Sequence, residues 1–286
     1  MRRDLNPRLF PCHMVRIVLF DLLVERAEFG HGGNIEVLRP FLNNSDVVEC
    51  LLLTPQMEAE DSRAEGCFPL KESDVPRWDD EYPFWTEHTE IFDTGKIHLR
   101  RIKMPSKDTF QELRPDAIVC SGSRRNVSMW EPWMDGCAEL LRWAVVENIP
   151  TLGICFGHQL LAKALGGDVT RAENYTDIVS DLLHHSTDPV VGVCQVGLFT
   201  HQDHVTELPS GAMHISSAGH CGYAAFRLEG KQVWGVQFHP EASRARIERS
   251  FRLGHINEEE LLAFQRDHDG DALLAAFANQ VPPGKN

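Results

Sequence analysis

Much of what would announce a familiar activity is missing from this chain, and each absence narrows the field. No CxxC pair occurs among its eight cysteines (Cys12, Cys50, Cys67, Cys120, Cys137, Cys155, Cys194 and Cys221). Neither zinc-ribbon nor dithiol-redox spacing is therefore present. Cys50 and Cys120 lie in apolar runs and read as buried thiols, which fits a reducing, cytoplasmic setting. No apolar run approaches the length of a membrane span. Arg16 and Asp21 interrupt the run behind Arg2 and Arg3, which makes a poor signal peptide. There is no GxxxxGK[ST] phosphate cradle, and Phe29-Gly30-His31-Gly32-Gly33 is not a GxGxxG. Internal repeats and low-complexity tracts are absent. Positive charge is scarce: Lys and Arg number 28 against 42 Asp and Glu, a formal net charge of −14. That balance argues against a nucleic-acid or anionic-membrane partner, and solvated acidic faces account for it.

What is present suits a globular α/β protein. Of the 286 residues 42% are hydrophobic and 24% charged, enough for a sizeable core. Residues 1–13 read as a loose arm, and 14–286 as a single domain. Val15–Asp21 reads as a buried strand, with a glycine-bearing loop after it. Asn34–Leu42 reads as a helix and Val47–Leu53 as a strand. Residues 54–110, acidic and proline-bearing with Trp78, Tyr82, Phe84 and Trp85, break the pattern. They are expected to pack as an insertion or lid, with a strand pair within Ile91–Met104. Asp116–Cys120 is a strand entering a turn, Pro132–Asn148 an amphipathic helix and Ile149–Ile154 a strand. After Gly166-Gly167, Asp168–Thr170 starts a small extended piece. From Asp188 to Phe238 the runs are short and β-like, a small β extension: Val190–Phe199, Ala212–Ser217, Tyr223–Leu228 and Val233–Phe238. The stretch 243–281 carries three helices. Strand–helix alternation before residue 170 predicts a mainly parallel open sheet flanked by helices.

Chemistry concentrates in Gly153-Ile154-Cys155-Phe156-Gly157-His158-Gln159. An apolar strand, a glycine-flanked cysteine and a helix-forming run make a nucleophile elbow. The glycines let the turn close and backbone approach without a Cβ clash. Cys155 then sits at a helix N-terminus, where orphan N–H groups and the helix dipole favour a thiolate. A thiolate nucleophile needs a base and the base an orienting group. Far downstream, Phe238-His239-Pro240-Glu241 offers both, and an extended chain would point His239 and Glu241 to one side.

Together, Gly153-x-Cys155-x-Gly157-x-Gln159 and His239-Pro240-Glu241 resemble the class I glutamine amidotransferase family over roughly residues 115–245. The resemblance implies a flavodoxin-like sheet. It also implies Cys155 as nucleophile, His239 as base and Glu241 as its orienter, acting on a γ-glutamyl amide. The oxyanion would be held by the N–H of Phe156 and one from Gly122 or Ser123. The glutamyl group would meet Gln159, Thr200 and His201. The loop Ser121-Gly122-Ser123-Arg124 departs from the usual Gly-Gly-Pro and is similar to that of stand-alone γ-glutamyl peptidases. Arg124 and Arg125 either meet a substrate carboxylate or are solvated loop charges. Ala172–Asp177 also departs from the family's glycine-bearing pattern. His184-His185 and His201-x-x-His204 lack a carboxylate at zinc spacing and read as solvated histidines, so no metal and no cofactor is expected. Three functions follow: glutamine hydrolysis with ammonia passed to a partner synthase, hydrolysis of a larger γ-glutamyl compound, or a catalytically silent binding module.

Overall fold

The computed structural model describes residues 13–23, 27–55 and 87–282. The expected arm, apart from His13, and the aromatic cluster at 78–85 lie outside these residues.

Two apolar runs, β1 (Met14–Phe20) and β2 (Val47–Leu53), pair in parallel and start the main sheet. Between them a π-helical turn, Ala27–Gly32, leads into α1 (Gly33–Leu38). The glycine-bearing stretch is thus helical rather than a loop. Pro40 lacks the N–H that would continue α1, and the chain tightens to a 3-10 turn over Arg39–Asn43. β3 (Glu87–Phe92) and β4 (Gly95–Ile102) form the strand pair expected near 91–104. They join the main sheet rather than covering the site as a lid, because β4 pairs in parallel with β2 from Val47–Lys96 to Leu53–Ile102. Residues 87–102 are therefore an edge of the main sheet.

The chain continues through α2 (Lys107–Leu113), capped by Ser106, then β5 (Ala117–Cys120), α3 (Trp133–Val146), β6 (Thr151–Ile154) and α4 (Phe156–Ala164). β7 (Asp168–Asp181) is far longer than the extended piece expected at 168–170. It pairs antiparallel with β9 (Val196–Glu207) in a two-stranded sheet of its own. Between them lies the short β8 (Leu183–His184). β10 (Ala212–Ala218), β11 (Cys221–Leu228) and β12 (Val233–Val236) return to the main sheet. Its order is β3-β4-β2-β1-β5-β6-β12-β11-β10-β8. The pairs from β4 through β12 are parallel, and the outer pairs on each side are antiparallel. Three helices close the chain: α5 (Arg244–Arg252), α6 (Glu258–Ala263) with an Asn257/Glu260 capping box, and α7 (Gly270–Ala278).

Alternation within β1 explains the layers. Ile17 and Leu19 face one helical layer with α1 and α7, while Val18 and Phe20 face α2, α3 and α4. Both faces of the central strands are covered, which is why their sequences are continuously apolar. Each fully buried large side chain, such as Phe20, Phe110 or Trp234, contributes about 1.5–3 kcal/mol. A third apolar cluster joins α5 and α6 to the smaller sheet through Ile247, Ile256, Phe264, Val179 and Leu198. That packing brings the C-terminal helices to the carboxyl ends of the parallel strands. No helix among the described residues is long and apolar enough to cross a membrane.

Candidate active site

β6 is buried at every residue and passes into α4 through one residue, Cys155, at φ +50° and ψ −102°. A non-glycine residue occupies that region only when its surroundings hold it there. The flanking glycines do this by permitting contact. A Cβ on Gly153 would lie 2.5 Å from the carbonyl oxygen of Gly157, and one on Gly157 would lie 2.0 Å from that of Cys120. Strand and helix therefore close tightly, and the positive φ falls on the cysteine itself. The Cys155 N–H donates to Val236 O at 2.8 Å, tying the elbow to β12.

β12 leads directly to His239. The His239 N–H donates to Leu198 O at 2.7 Å, which anchors the residue against β9. Residues 240–241 form a turn rather than the extended chain expected. The turn still delivers both side chains: His239 Nδ1–H donates to Glu241 Oε1 at 2.7 Å, with both residues buried. Burial alone would lower the imidazole's pKa. The Glu241 carboxylate and the neighbouring Cys155 sulfur outweigh it and raise His239 well above the ordinary 6.5.

Gly122 measures how close the two motifs come. A Cβ built there would stand 2.8 Å from His239 Cε1 and 3.8 Å from Cys155 Cβ. Cysteine, imidazole and the loop after β5 thus meet at one point. In this state the Cys155 thiol donates to Thr200 O at 3.7 Å. Phe156 opens α4, so its N–H has no acceptor within the helix. Ser123 lies beside it and lines both cavities of the site.

The remaining expected residues fall at the site with altered roles. Gln159 is buried, and its Nε2 donates to Asp203 O at 2.8 Å and to Gln237 Oε1 at 3.0 Å. Both amide protons are engaged, which leaves only its carbonyl for a ligand. Thr200–His204 is strand, so β9 runs beyond the β-like run read at Val190–Phe199. Thr200 receives the cysteine thiol on its carbonyl, and its Oγ1 hydrogen-bonds the Tyr175 hydroxyl at 3.1 Å. His201 is buried rather than solvated, and its Nδ1–H donates to Asp203 O at 3.0 Å. Asp203 accepts the Ser128 N–H at 2.7 Å and its hydroxyl at 2.9 Å, clamping the loop after β5 to β9. Arg124 lines both cavities, while Arg125 approaches Glu131 at 4.0 Å. The pair His184-His185 is used in separate bonds, to Cys194 O and to Ser217 Oγ.

One recess adjoins Cys155 and another adjoins His239. The first, a small one of about 40 Å³, is bounded by Cys155, Phe156, Gln159 and Thr200. On the His239 side lies a larger cavity of about 430 Å³, closed by Tyr175, Asp177, His255, Glu260 and Phe264. Sequence reasoning singles out none of these five as a site residue. Tyr175 and Asp177 fall in Ala172–Asp177, whose departure from the family pattern is the only signal. The other three lie on C-terminal elements that no local motif links to the cysteine. Burial, followed by repulsion from Glu260 among neighbouring groups, raises the Asp177 pKa. One oxygen of that carboxylate is buried without a partner among the described residues.

A family model, glutamine amidotransferase class-I, matches residues 90–251, more than half of the chain. The chain belongs to the class-I glutamine amidotransferase family. A glutamine-hydrolyzing GMP synthase subunit from Methanothermobacter thermautotrophicus is 30% identical over 158 residues, covering 53% of this chain and 84% of that protein. The glutamine-hydrolyzing GMP synthase of Nitratiruptor sp. is 30% identical over 197 residues, 61% of this chain but 37% of the synthase. The chain thus spans little more than a third of that longer relative. The solved glutamine amidotransferase of Thermotoga maritima superposes with a TM-score of 0.60 at 17% identity, covering 94% of this chain and 98% of the other. At that identity the likeness establishes the fold: a mostly parallel sheet flanked by helices. Family and relatives place this amidotransferase-family chain among enzymes.

Proposed function

We propose that the chain hydrolyses a γ-glutamyl amide, glutamine first, through Cys155, His239 and Glu241. The observation that carries this reading is the convergence of Cys155 and His239 on Gly122, with Glu241 2.7 Å from the far side of the imidazole. Cys155, its proton passed to His239, attacks the amide carbon. His239 protonates the departing nitrogen as the C–N bond breaks, leaving a thioester on Cys155. Water then attacks the thioester with His239 as base, the C–S bond breaks, and glutamate leaves. Glu241 holds the imidazole in one tautomer and steadies its charge. The N–H of Phe156 and one from Gly122 or Ser123 receive the oxyanion. Each such donor is worth about 10²–10³ in rate. The glutamyl group lies against Gln159 and Thr200, with the His201 backbone beside it.

The relatives' names suggest a destination for the nitrogen: ammonia passes to a synthase. A second reading is favoured by the larger cavity. At about 430 Å³ on the leaving-group side, with Arg124, Asp177 and Glu260 on its walls, it offers room for more than ammonia. A γ-glutamyl compound with a zwitterionic or amine-bearing leaving group suits that lining.

Incubating the purified protein with glutamine and with a γ-glutamyl dipeptide separates the readings. Glutamate release from glutamine, raised by an added synthase, supports the first; turnover of the dipeptide alone supports the second. Release from neither substrate, with or without a synthase, overturns the hydrolase reading and leaves a binding module. A further expected outcome concerns the loop after β5. Gly122→Ala drives a methyl group into His239 Cε1, so kcat/KM should fall by about 10² while circular dichroism stays unchanged.

A further inference from the structure

Behind the substrate-facing side of β9 lies a cluster the proposed chemistry does not use. His201 and His204 of β9 and Cys221, the first residue of β11, each present a ligand atom, and the three atoms lie within 4.8 Å of one another. His201 is only 3% exposed. Its Nδ1 proton is committed to the carbonyl of Asp203, so Nε2 carries the lone pair. That Nε2 is buried and has no hydrogen-bond partner among the described residues. An unpaired buried acceptor of this kind is costly unless something meets it. The Nδ1–H···O=C bond is also the arrangement that orients a metal-binding histidine. The Tyr223 backbone N–H points at the Cys221 sulfur, a suitable outer partner for a thiolate. A fourth side chain stands close: the His220 ring is 5.8 Å from that of His201, and its Nε2 is likewise buried without a partner among the described residues.

We propose that His201, His204 and Cys221 form a binding site for a borderline-soft divalent cation of the zinc type. Two imidazole nitrogens and one sulfur are a tetrahedral donor set with one position left. His220 is the chain's own source for that position, and water the alternative. Tetrahedral zinc draws its donors to roughly 3.5 Å apart, so the side chains close in slightly on binding. Cys221 binds as thiolate: the S–H bond breaks, the sulfur pair goes to the metal, and one proton leaves to solvent. No electron is transferred. The ion pins β9 to the start of β11. β9 carries Thr200, whose carbonyl holds the Cys155 thiol, so occupancy of the site stiffens one wall of the catalytic recess.

The experiment must separate this site from the Cys155–His239 pair, which also offers a thiolate and an imidazole. Chelator-treated Cys155→Ala protein is titrated with cobalt(II), and with zinc(II) against a chromogenic chelator. The expected result is a sulfur-to-cobalt charge-transfer band that saturates at one ion per chain, distinct from any sulfur-free binding at His31, His88 and Glu90, and a higher melting temperature with zinc. The band should vanish in Cys155→Ala/Cys221→Ser. Zinc affinity should fall more than about tenfold in Cys155→Ala/His204→Gln. His204 is half-buried and tolerates a polar replacement, so this second variant carries the test should the Cys221 variant misfold. Absence of binding by Cys155→Ala protein, or a band that survives loss of Cys221, overturns the proposal.

Discussion

Cys155→Ala protein is expected to release neither ammonia nor glutamate from any γ-glutamyl amide, with kcat lower by on the order of 10⁴ or more. The whole proposed covalent route passes through that sulfur, and no second thiol among the described residues is placed to replace it. Cys120 and Cys221, also near the site, are buried in settings that push their thiols up, Cys221 to about 12. The fold should hardly respond. Alanine keeps the Cβ that packs at the elbow, and the backbone bonds to Val236 and Gln159 remain; the 3.7 Å S–H contact to Thr200 and the sulfur's interaction with His239 are lost. A melting temperature within a few degrees of the parent, together with abolished turnover, is the outcome to look for. Residual turnover above the uncatalysed rate would place the nucleophile elsewhere.

Glu241→Gln is expected to have the next largest effect, a fall in kcat approaching about 10⁴, with a pH signature. In the parent, the Glu241 carboxylate and the Cys155 sulfur hold His239 protonated well above pH 6.5 against its burial. The sign follows from that direction. The charged imidazole contributes stability that is complete below its ordinary pKa of 6.5 and is lost as pH rises through the raised folded value. The alkaline limb of kcat/KM, where the imidazolium needed for the leaving nitrogen disappears, therefore lies above 6.5. Replacing Glu241 by the neutral amide removes the first of the raising influences and leaves the Cys155 sulfur alone to oppose burial. The alkaline limb should then move to lower pH, and stability should become less dependent on pH above 6.5. A pH–rate profile and thermal melts across the same range measure both. An unmoved alkaline limb would show that Glu241 does not govern His239.

How much is legible in the sequence can be judged element by element. β1, β2, β5 and β6 read close to their observed bounds, because buried parallel strands are continuously apolar, and the three C-terminal helices read within 243–281, where they are found. The elbow at Cys155 is legible because glycines on either side of a cysteine have few other uses. Residues 87–102 read as part of an insertion or lid and form an edge of the main sheet. Exposed Glu87, Thr89 and Ile91 alternate with half-buried residues, as an edge strand should, but nothing local says which sheet the edge belongs to. β7 reads short because its middle, Arg171–Asp177, carries a register irregularity and mostly polar side chains. The β-like run read at Val190–Phe199 stops short of Thr200–His204, whose alternation is masked by histidine and other polar side chains, of which His201 and Asp203 are in fact buried.

By itself the sequence determined the family, the α/β alternation and the identity of the residues that meet at the elbow, since these rest on spacing along the chain and on side-chain chemistry. Only the tertiary structure decided what surrounds them. It set His239 and Cys155 on either side of Gly122, brought Glu260 of α6 and the adjoining Phe264 to wall the larger cavity, and placed Cys221 beside His201 and His204. The reason is physical. Each of these neighbourhoods is created by sheet register and by the packing of Ile247, Ile256 and Phe264 on the smaller sheet, interactions between residues far apart in sequence that leave no periodic mark on either segment alone.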